Sequence, residues 1–205
     1  MPPLMRMLRG EGRLFGAGGR RPVQLEEIAT ERLSLRPLSM ADVRRVAILA
    51  SDWGIASMTA RIPFPYTERD AAEWIGGLDA SEAVAAIERA GVLIGLVGYS
   101  PAADGRSAEI GYWIGRPYWG QGFATEAASA MLSHCFAKER FERLTCCHFL
   151  DNPASRRVIE KLGFRALGQC SAWSEARRCH APTQRYELRA PKRWDWSGSW
   201  PVRRG

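Results

Sequence analysis

Hydrophobic residues along this chain change period often enough to mark out most of its elements. Leu33 and Leu35 alternate with polar neighbours over residues 32–37, the period of a half-buried strand, and Pro37 ends it. A helix opening at Ser39 or Asp42 then runs through Ala50, with Val43, Val46, Ala47 and Ala50 on one face. Residues 51–66 break the period at Gly54, Pro63 and Pro65 yet stay apolar, so they are either a loop packed on the core or the wall of a substrate pocket. Thr67 caps a second helix whose stripe is Ala71, Trp74, Ile75 and Leu78. Strands follow at 83–87 and 92–99, the second apolar almost throughout and therefore central. After a turn at 102–106 come a strand at 107–115, a glycine-rich turn and a helix over 125–137 with Ala128, Met131, Leu132, Cys135 and Phe136 on its core face. A strand at 143–149 enters a helix with clear ends: Asn152 can cap it, Pro153 suits its first position, and Gly163 stops it. Ala154, Val158, Ile159 and Leu162 form its stripe. The pattern closes with a strand to about Trp173, a polar connection at 174–183 and a strand at 184–189. The sum is a mixed α/β sheet in which residues 107–149 form a right-handed parallel crossover.

The glycine-rich turn carries the first chemistry. In RPYWGQGFATEA the strand breaks at Pro117, and Gly120 and Gly122 stand just ahead of the helix. A turn whose backbone approaches a ligand needs residues without a Cβ, and the first amides of the following helix lack intrahelical partners. Gly120, Gln121, Gly122, Phe123, Ala124 and Thr125 would form a cradle for phosphate at that positive helix end. The spacing is neither that of a Walker loop nor that of a dinucleotide site. Taken alone, it is equally the spacing of an ordinary turn.

The turn does not stand alone. YWGQGFATEA, DNPAS at 151–155 and EKLGF at 160–164 together resemble the GNAT superfamily of acyl-CoA-dependent N-acyltransferases, and within it the branch of ribosomal-protein N-terminal acetyltransferases. TERLSLRPL at 30–38 is similar to that branch's first strand, so the resemblance covers roughly residues 28–190. It implies a mostly antiparallel sheet with one splayed parallel strand pair and flanking helices. It implies acetyl-CoA as cosubstrate, with no metal. The pantetheine arm would fill the splay and pair with the backbone of residues 112–115, and the amides near Trp113 and Ile114 would face the oxyanion.

Composition narrows the partners. The net charge of +7 lies entirely in the ends of the 205-residue chain, with five Arg against one Glu in residues 1–25 and four basic side chains against one Asp in residues 191–205. The domain between them is neutral, which argues against a nucleic-acid-binding face, although basic tails attract RNA through salt-dependent contacts. Three units are therefore expected: a disordered basic leader at 1–26, an acyltransferase domain at 27–190 and a mobile tryptophan-containing tail at 191–205. The five cysteines form no Cys-x-x-Cys pair, and Cys146 and Cys147 point to opposite faces of one strand. No apolar run reaches the roughly 18 residues of a membrane span, so the expectation is a cytosolic protein with no membrane partner. A homodimer is left open.

Acyl transfer from a thioester to an amine needs a neutral amine, donors for the oxyanion and a proton for the departing thiolate. Glu109 is the candidate base, two positions from Gly111, whose missing side chain leaves room on the same face; a solvated strand carboxylate is the plainer alternative. For the acid, many members of the superfamily place a Tyr where this chain has Ile159, and Ser155 is what the ribosomal-protein branch offers instead. Asn152 serves as helix cap, cofactor partner or both. Lys161, with Arg156 and Arg157, could reach cofactor phosphates. The branch's second Glu after Gly-Phe is missing, since Gly163-Phe164 is followed by Arg165-Ala166-Leu167-Gly168. His148 falls in the cleft-side strand as a structural or titrating group. The acceptor these groups suit is an amine of low pKa. An α-amine near 7.7–8.0 is roughly a quarter neutral at cytosolic pH, and a lysine near 10.4 only about 0.1%. A protein or peptide N-terminus is therefore expected, with a small-molecule amine as runner-up and a non-catalytic acyl-CoA-binding module as the rival from another class.

Overall fold

The computed structural model describes residues 25–78, 82–191 and 200–202. Its strands are β1 (Ile28–Ala29), β2 (Ser34–Pro37), β3 (Ala83–Arg89), β4 (Val92–Pro101), β5 (Ser107–Ile114), β6 (Arg143–Phe149), β7 (Arg165–Ser174) and β8 (Cys179–Arg189). They form one sheet in the order β1-β2-β3-β4-β5-β6-β8-β7. Every neighbouring pair is antiparallel except β5 and β6. The helices are α1 (Val43–Ala50), α2 (Trp53–Ala56), α3 (Glu68–Gly76), α4 (Phe123–Ala137) and α5 (Pro153–Lys161).

The sheet divides two apolar layers. On one face Ala108, Ile110 and Ile114 of β5 and Leu144 and Cys146 of β6 pack against Met131, Leu132, Cys135 and Phe136 of α4 and Ile159 of α5. On the other, Ala86, Leu93 and Leu96 meet Val46, Ala50, Ile55, Trp74 and Ile75 from α1 to α3, with Trp113 at the margin. Residues 93–100 of β4 are all buried, as its apolar run requires. Helix starts follow their caps. Thr67 and Asp70 exchange hydrogen bonds at 2.9 and 3.2 Å ahead of α3, and the Ser155 amide donates to Asn152 Oδ1 at 3.0 Å ahead of α5. A cap of this kind contributes about 1 kcal/mol.

The apolar stretch 51–66 packs on the core, one of the two readings it allowed, with Ile55, Ile62 and Tyr66 buried, and it contains the short α2. Four expectations need correction. The polar connection 174–183 is mostly strand: β8 begins at Cys179, and Ala181 and Thr183 turn inward. Helix α4 begins at Phe123, two residues early, because Gly122 in the left-handed region is its N-cap. The tail is not wholly loose. Trp200 is 8% exposed, its ring lies 5.1 Å from Phe136, its Nε1 donates to Leu162 O at 2.9 Å, and its carbonyl accepts from Ser129 Oγ at 2.8 Å. Packed chain also starts before residue 27, since Leu25 belongs to the core. The proposed leader lies almost entirely outside the described residues, as does the rest of the tail. No helix among the described residues is long and apolar enough to cross a membrane.

Candidate active site

The site is built around a strand pair that parts. β5 and β6 pair only at Ser107↔Arg143, Ala108↔Leu144 and Glu109↔Thr145. Beyond that rung β6 continues beside β8 as far as Phe149, and β5 beside β4 as far as Ile114. A gap opens between them, bordered by residues 110–114 and 146–149. Strand alternation decides which amides line it. Gly115 N–H donates to Ile94 O at 2.8 Å, so Trp113 and Gly111, of the same parity, also turn to β4, while Ile110, Tyr112 and Ile114 turn to the gap. The expected oxyanion role of the Trp113 amide is therefore corrected, because the β4 ladder uses it. Ile114 does face the gap, its carbonyl accepting from Trp119 Nε1 at 2.5 Å.

Both helix N-termini after the parallel strands open at the same end of that gap. At the first, Gly120 and Gly122 have φ of +74° and +82°, a conformation that favours glycine. The amides of Phe123, Ala124 and Thr125 start α4 without intrahelical partners. The Phe123 side chain is core, 2% exposed. Above its ring the guanidinium carbons of Arg32 and Arg89 lie at 4.7 and 4.9 Å. Arg32 also donates to Gln121 O at 3.0 Å and to Glu126 Oε2 at 2.7 Å, and Thr30 Oγ1 donates to Glu126 Oε1 at 2.6 Å. Arg32 escaped the sequence reading because it looked like a polar strand position, yet it braces the cradle from one side.

At the second N-terminus, Asn152 spends its side-chain carbonyl oxygen on the helix, accepting from the Ser155 amide at 3.0 Å. Ser155 Oγ lies 3.1 Å from Tyr112 Oη. Tyr112 was missed as a side chain; its signal was the alternation that puts it on the α5 face. Lys161 is exposed on the last turn of α5, about 12 Å along the helix from Pro153. It makes no ion pair among the described residues, whereas Arg156 pairs with Glu160 at 2.8 Å. His148 is structural: buried, its Nδ1 lies 2.7 Å from Phe149 O and its Nε2 3.1 Å from Tyr186 Oη.

Glu109 occupies the other face of the sheet. Burial pushes its carboxyl up to about 7, against the Cys147 thiol that donates to Oε1 at 3.6 Å and the positive charges of Arg185 and Arg61. No side chain at Gly111 obstructs it, since a Cβ there would meet nothing within 4 Å. Cys147 reaches solvent along the cleft, but the enclosing walls and then the Glu109 charge push its thiol up to about 12. Arg61 is half-buried and held down to about 10 by that burial, countered by Glu82, Glu109 and Glu175. The stretch 51–66, read as a possible pocket wall, meets the β7–β8 turn here. Arg177 Nε donates to Ser57 O at 2.6 Å and Glu175 N to Ala60 O at 2.8 Å, joining the β7–β8 turn to the loop after α2. Arg177 also grips Asp151 at 2.8 and 3.1 Å, next to the α5 cap.

The decisive comparison is with families. Residues 32–165 match the acetyltransferase (GNAT) domain family. The chain belongs to that family. GNAT membership makes it an acetyl-CoA-dependent N-acetyltransferase. Among relatives, N-acetyltransferase p20 of Bacillus licheniformis, itself uncharacterised, is 27% identical over 164 residues, 75% of this chain and 90% of that protein. The ribosomal-protein-serine acetyltransferase of Escherichia coli is 32% identical over 73 residues, 35% of this chain and 41% of that protein. The structure of Mycobacterium smegmatis RimJ in complex with CoA-disulfide superposes with a TM-score of 0.69 at 24% identity, over 77% of this chain and 82% of that one. At that identity the likeness is one of fold. The geometry of this GNAT chain fits an acyl-CoA on its own terms. The cradle is open at Gly120, where a Cβ would meet nothing within 4 Å, and at Gly122 a Cβ would meet only Arg32 Nη2, at 3.4 Å; the gap-facing edge of β5 past residue 109 has lost its strand partner, leaving backbone groups for an extended amide arm to pair with.

Proposed function

We propose that this enzyme moves an acetyl group from acetyl-CoA to the N-terminal amine of a protein or peptide, by direct transfer in a ternary complex in the cytosol. The observation that carries this reading is the division of groups across the sheet. The cradle, Asn152 and Ser155 lie on the α4–α5 face, and Glu109 lies on the α1–α3 face, with the β5–β6 gap between. Acetyl-CoA supplies the activated acyl group. Gly120 to Thr125 would hold its pyrophosphate, Lys161 a distal phosphate, and the Ile114 amide together with Asn152 its arm and carbonyl. Glu109 would take the amine's proton directly or through water, and Ser155 would give one to the departing thiolate.

The carboxyl at about 7 matches an α-amine of pKa near 7.7–8.0 to within about one unit, whereas a lysine near 10.4 lies more than three units away. A double displacement through cysteine is disfavoured, because the Cys147 thiol beside Glu109 stays protonated. Kinship with a ribosomal-protein-serine acetyltransferase agrees with a protein acceptor. The test is an acetylation screen across N-terminal peptides, lysine peptides, polyamines and aminoglycosides with mass detection. N-terminal peptides should lead in specificity constant. A tenfold preference for lysine peptides or aminoglycosides would defeat the acceptor assignment, and consumption of acetyl-CoA by no amine would leave a non-catalytic binding module.

A further inference from the structure

We propose that Tyr112 is a positioning residue for Ser155, holding the serine proton toward the sulfur of the bound donor; the proposal rests on the acetyltransferase reading above. Tyr112 stands three residues beyond the last β5–β6 rung, on the α5 side of the sheet, and its ring packs against the core layer under α4 and α5. Its hydroxyl lies 3.1 Å from Ser155 Oγ and 3.4 Å from Ser155 O. The Ser155 amide is committed to Asn152, so the hydroxyl is the group this serine has left to offer.

Each hydroxyl has one proton, and a thiolate can only accept. Of the two acceptors that Ser155 offers the phenol, Oγ at 3.1 Å is nearer than the carbonyl at 3.4 Å, and with Tyr112 donating to Oγ the Ser155 proton is left for sulfur. When the C–N bond forms and the C–S bond breaks, the sulfur leaves with the bonding pair under the Ser155 hydrogen bond, which Tyr112 keeps aimed at it while staying protonated, and the sulfur draws its proton through the Ser155 hydroxyl from solvent. Burial raises the phenol above its ordinary range, so Tyr112 enters each turnover as a donor. The other titratable groups on this face are otherwise occupied or remote from the pair: His148 is bonded to Tyr186, Arg156 to Glu160, and the buried Cys146 thiol is itself pushed up.

The test compares CoA with desulfo-CoA by calorimetry from pH 6.5 to 9.5, on the full chain without an amine. Donation to sulfur favours the bound thiolate, so the affinity ratio of CoA to desulfo-CoA should rise about tenfold across that range in the wild type. It should stay flat in Ser155→Ala and in Tyr112→Phe. In turnover, Tyr112→Phe should lower kcat by about 10- to 30-fold with KM for acetyl-CoA within twofold, and adding it to Ser155→Ala should cost nothing further. A ratio that still rises in Tyr112→Phe, or losses that multiply in the double variant, would overturn the proposal. Should Tyr112→Phe not fold, 3-fluorotyrosine at position 112 replaces it, and an unmoved midpoint of the ratio would be equally fatal. Failure of the wild type to bind CoA at all would sink the acetyltransferase reading instead.

Discussion

Glu109→Gln should make the protein more stable and nearly inactive, and the stability gain should build up over a defined pH window and persist above it. In the wild type, burial holds this carboxyl at about 7 in place of its ordinary 4.5. Below pH 4.5 the group is neutral in the folded and unfolded chains alike, and the variant should match the wild type. Between 4.5 and about 7 the unfolded chain ionises first, so the wild type loses stability relative to the variant as pH rises. Above 7 both states are ionised and the gap is constant. Its full size is roughly 3 kcal/mol, equivalent to about 6–12 °C in Tm for a chain of this length. Urea titrations of both proteins at each pH from 5 to 9 measure it directly. A difference that does not change with pH, or a wild type that gains on the variant as pH rises, would refute burial as the cause. Turnover of the variant should fall by about 100-fold or more, the usual contribution of a positioned base.

Other consequences are as specific. Gly122→Asp puts a side chain and a negative charge where the pyrophosphate must sit, at a φ of +82°; calorimetry should show no acetyl-CoA binding, with only about 1 kcal/mol of stability lost to the backbone. Cys147→Ala should leave turnover within a few-fold, because no acyl-cysteine forms, and should shift the rising limb of the kcat/KM pH profile upward, because the donor that lowers the Glu109 pKa is gone. An isolable acetyl-cysteine would contradict it. Trp200→Ala removes a ring packed on Phe136 and the hydrogen bond to Leu162; thermal melts should show a loss of about 3 kcal/mol, and an unchanged melt would mean that the segment does not dock in solution.

The elements with strong local rules were readable from the sequence. α5 announced itself through Asn152, Pro153 and Gly163, and β4 through its unbroken apolar run. The glycine turn ahead of α4 was legible for the same reason, since glycines between a strand and a helix are a local pattern. What stayed hidden depends on partners distant in the chain. Arg32 finds Glu126 94 residues away, and no periodicity encodes that pairing. The β8 start at Cys179 was misread because Arg177, Arg178 and Pro182 look like loop, and only the pairing of Ala181 with Ala172 and of Thr183 with Phe149 draws the stretch into the sheet. Tyr112 had the right parity to face α5, but its meeting with Ser155 required knowing where that helix lies. Trp200 sat in a stretch of Pro, Gly and charge that gives no hint of a docking site between Ser129 and Leu162.

The structure of the complex with acetyl-CoA tests the central claim most directly, because that claim is about which side of the sheet each partner occupies. The account predicts the pyrophosphate on the amides after Gly122, the pantetheine arm paired to the gap-facing edge of β5, the sulfur within hydrogen-bond reach of Ser155 Oγ, and the acetyl carbon directed through the gap toward Glu109. A cofactor bound on the α1–α3 face, or one whose thioester lies outside the β5–β6 gap, would contradict it.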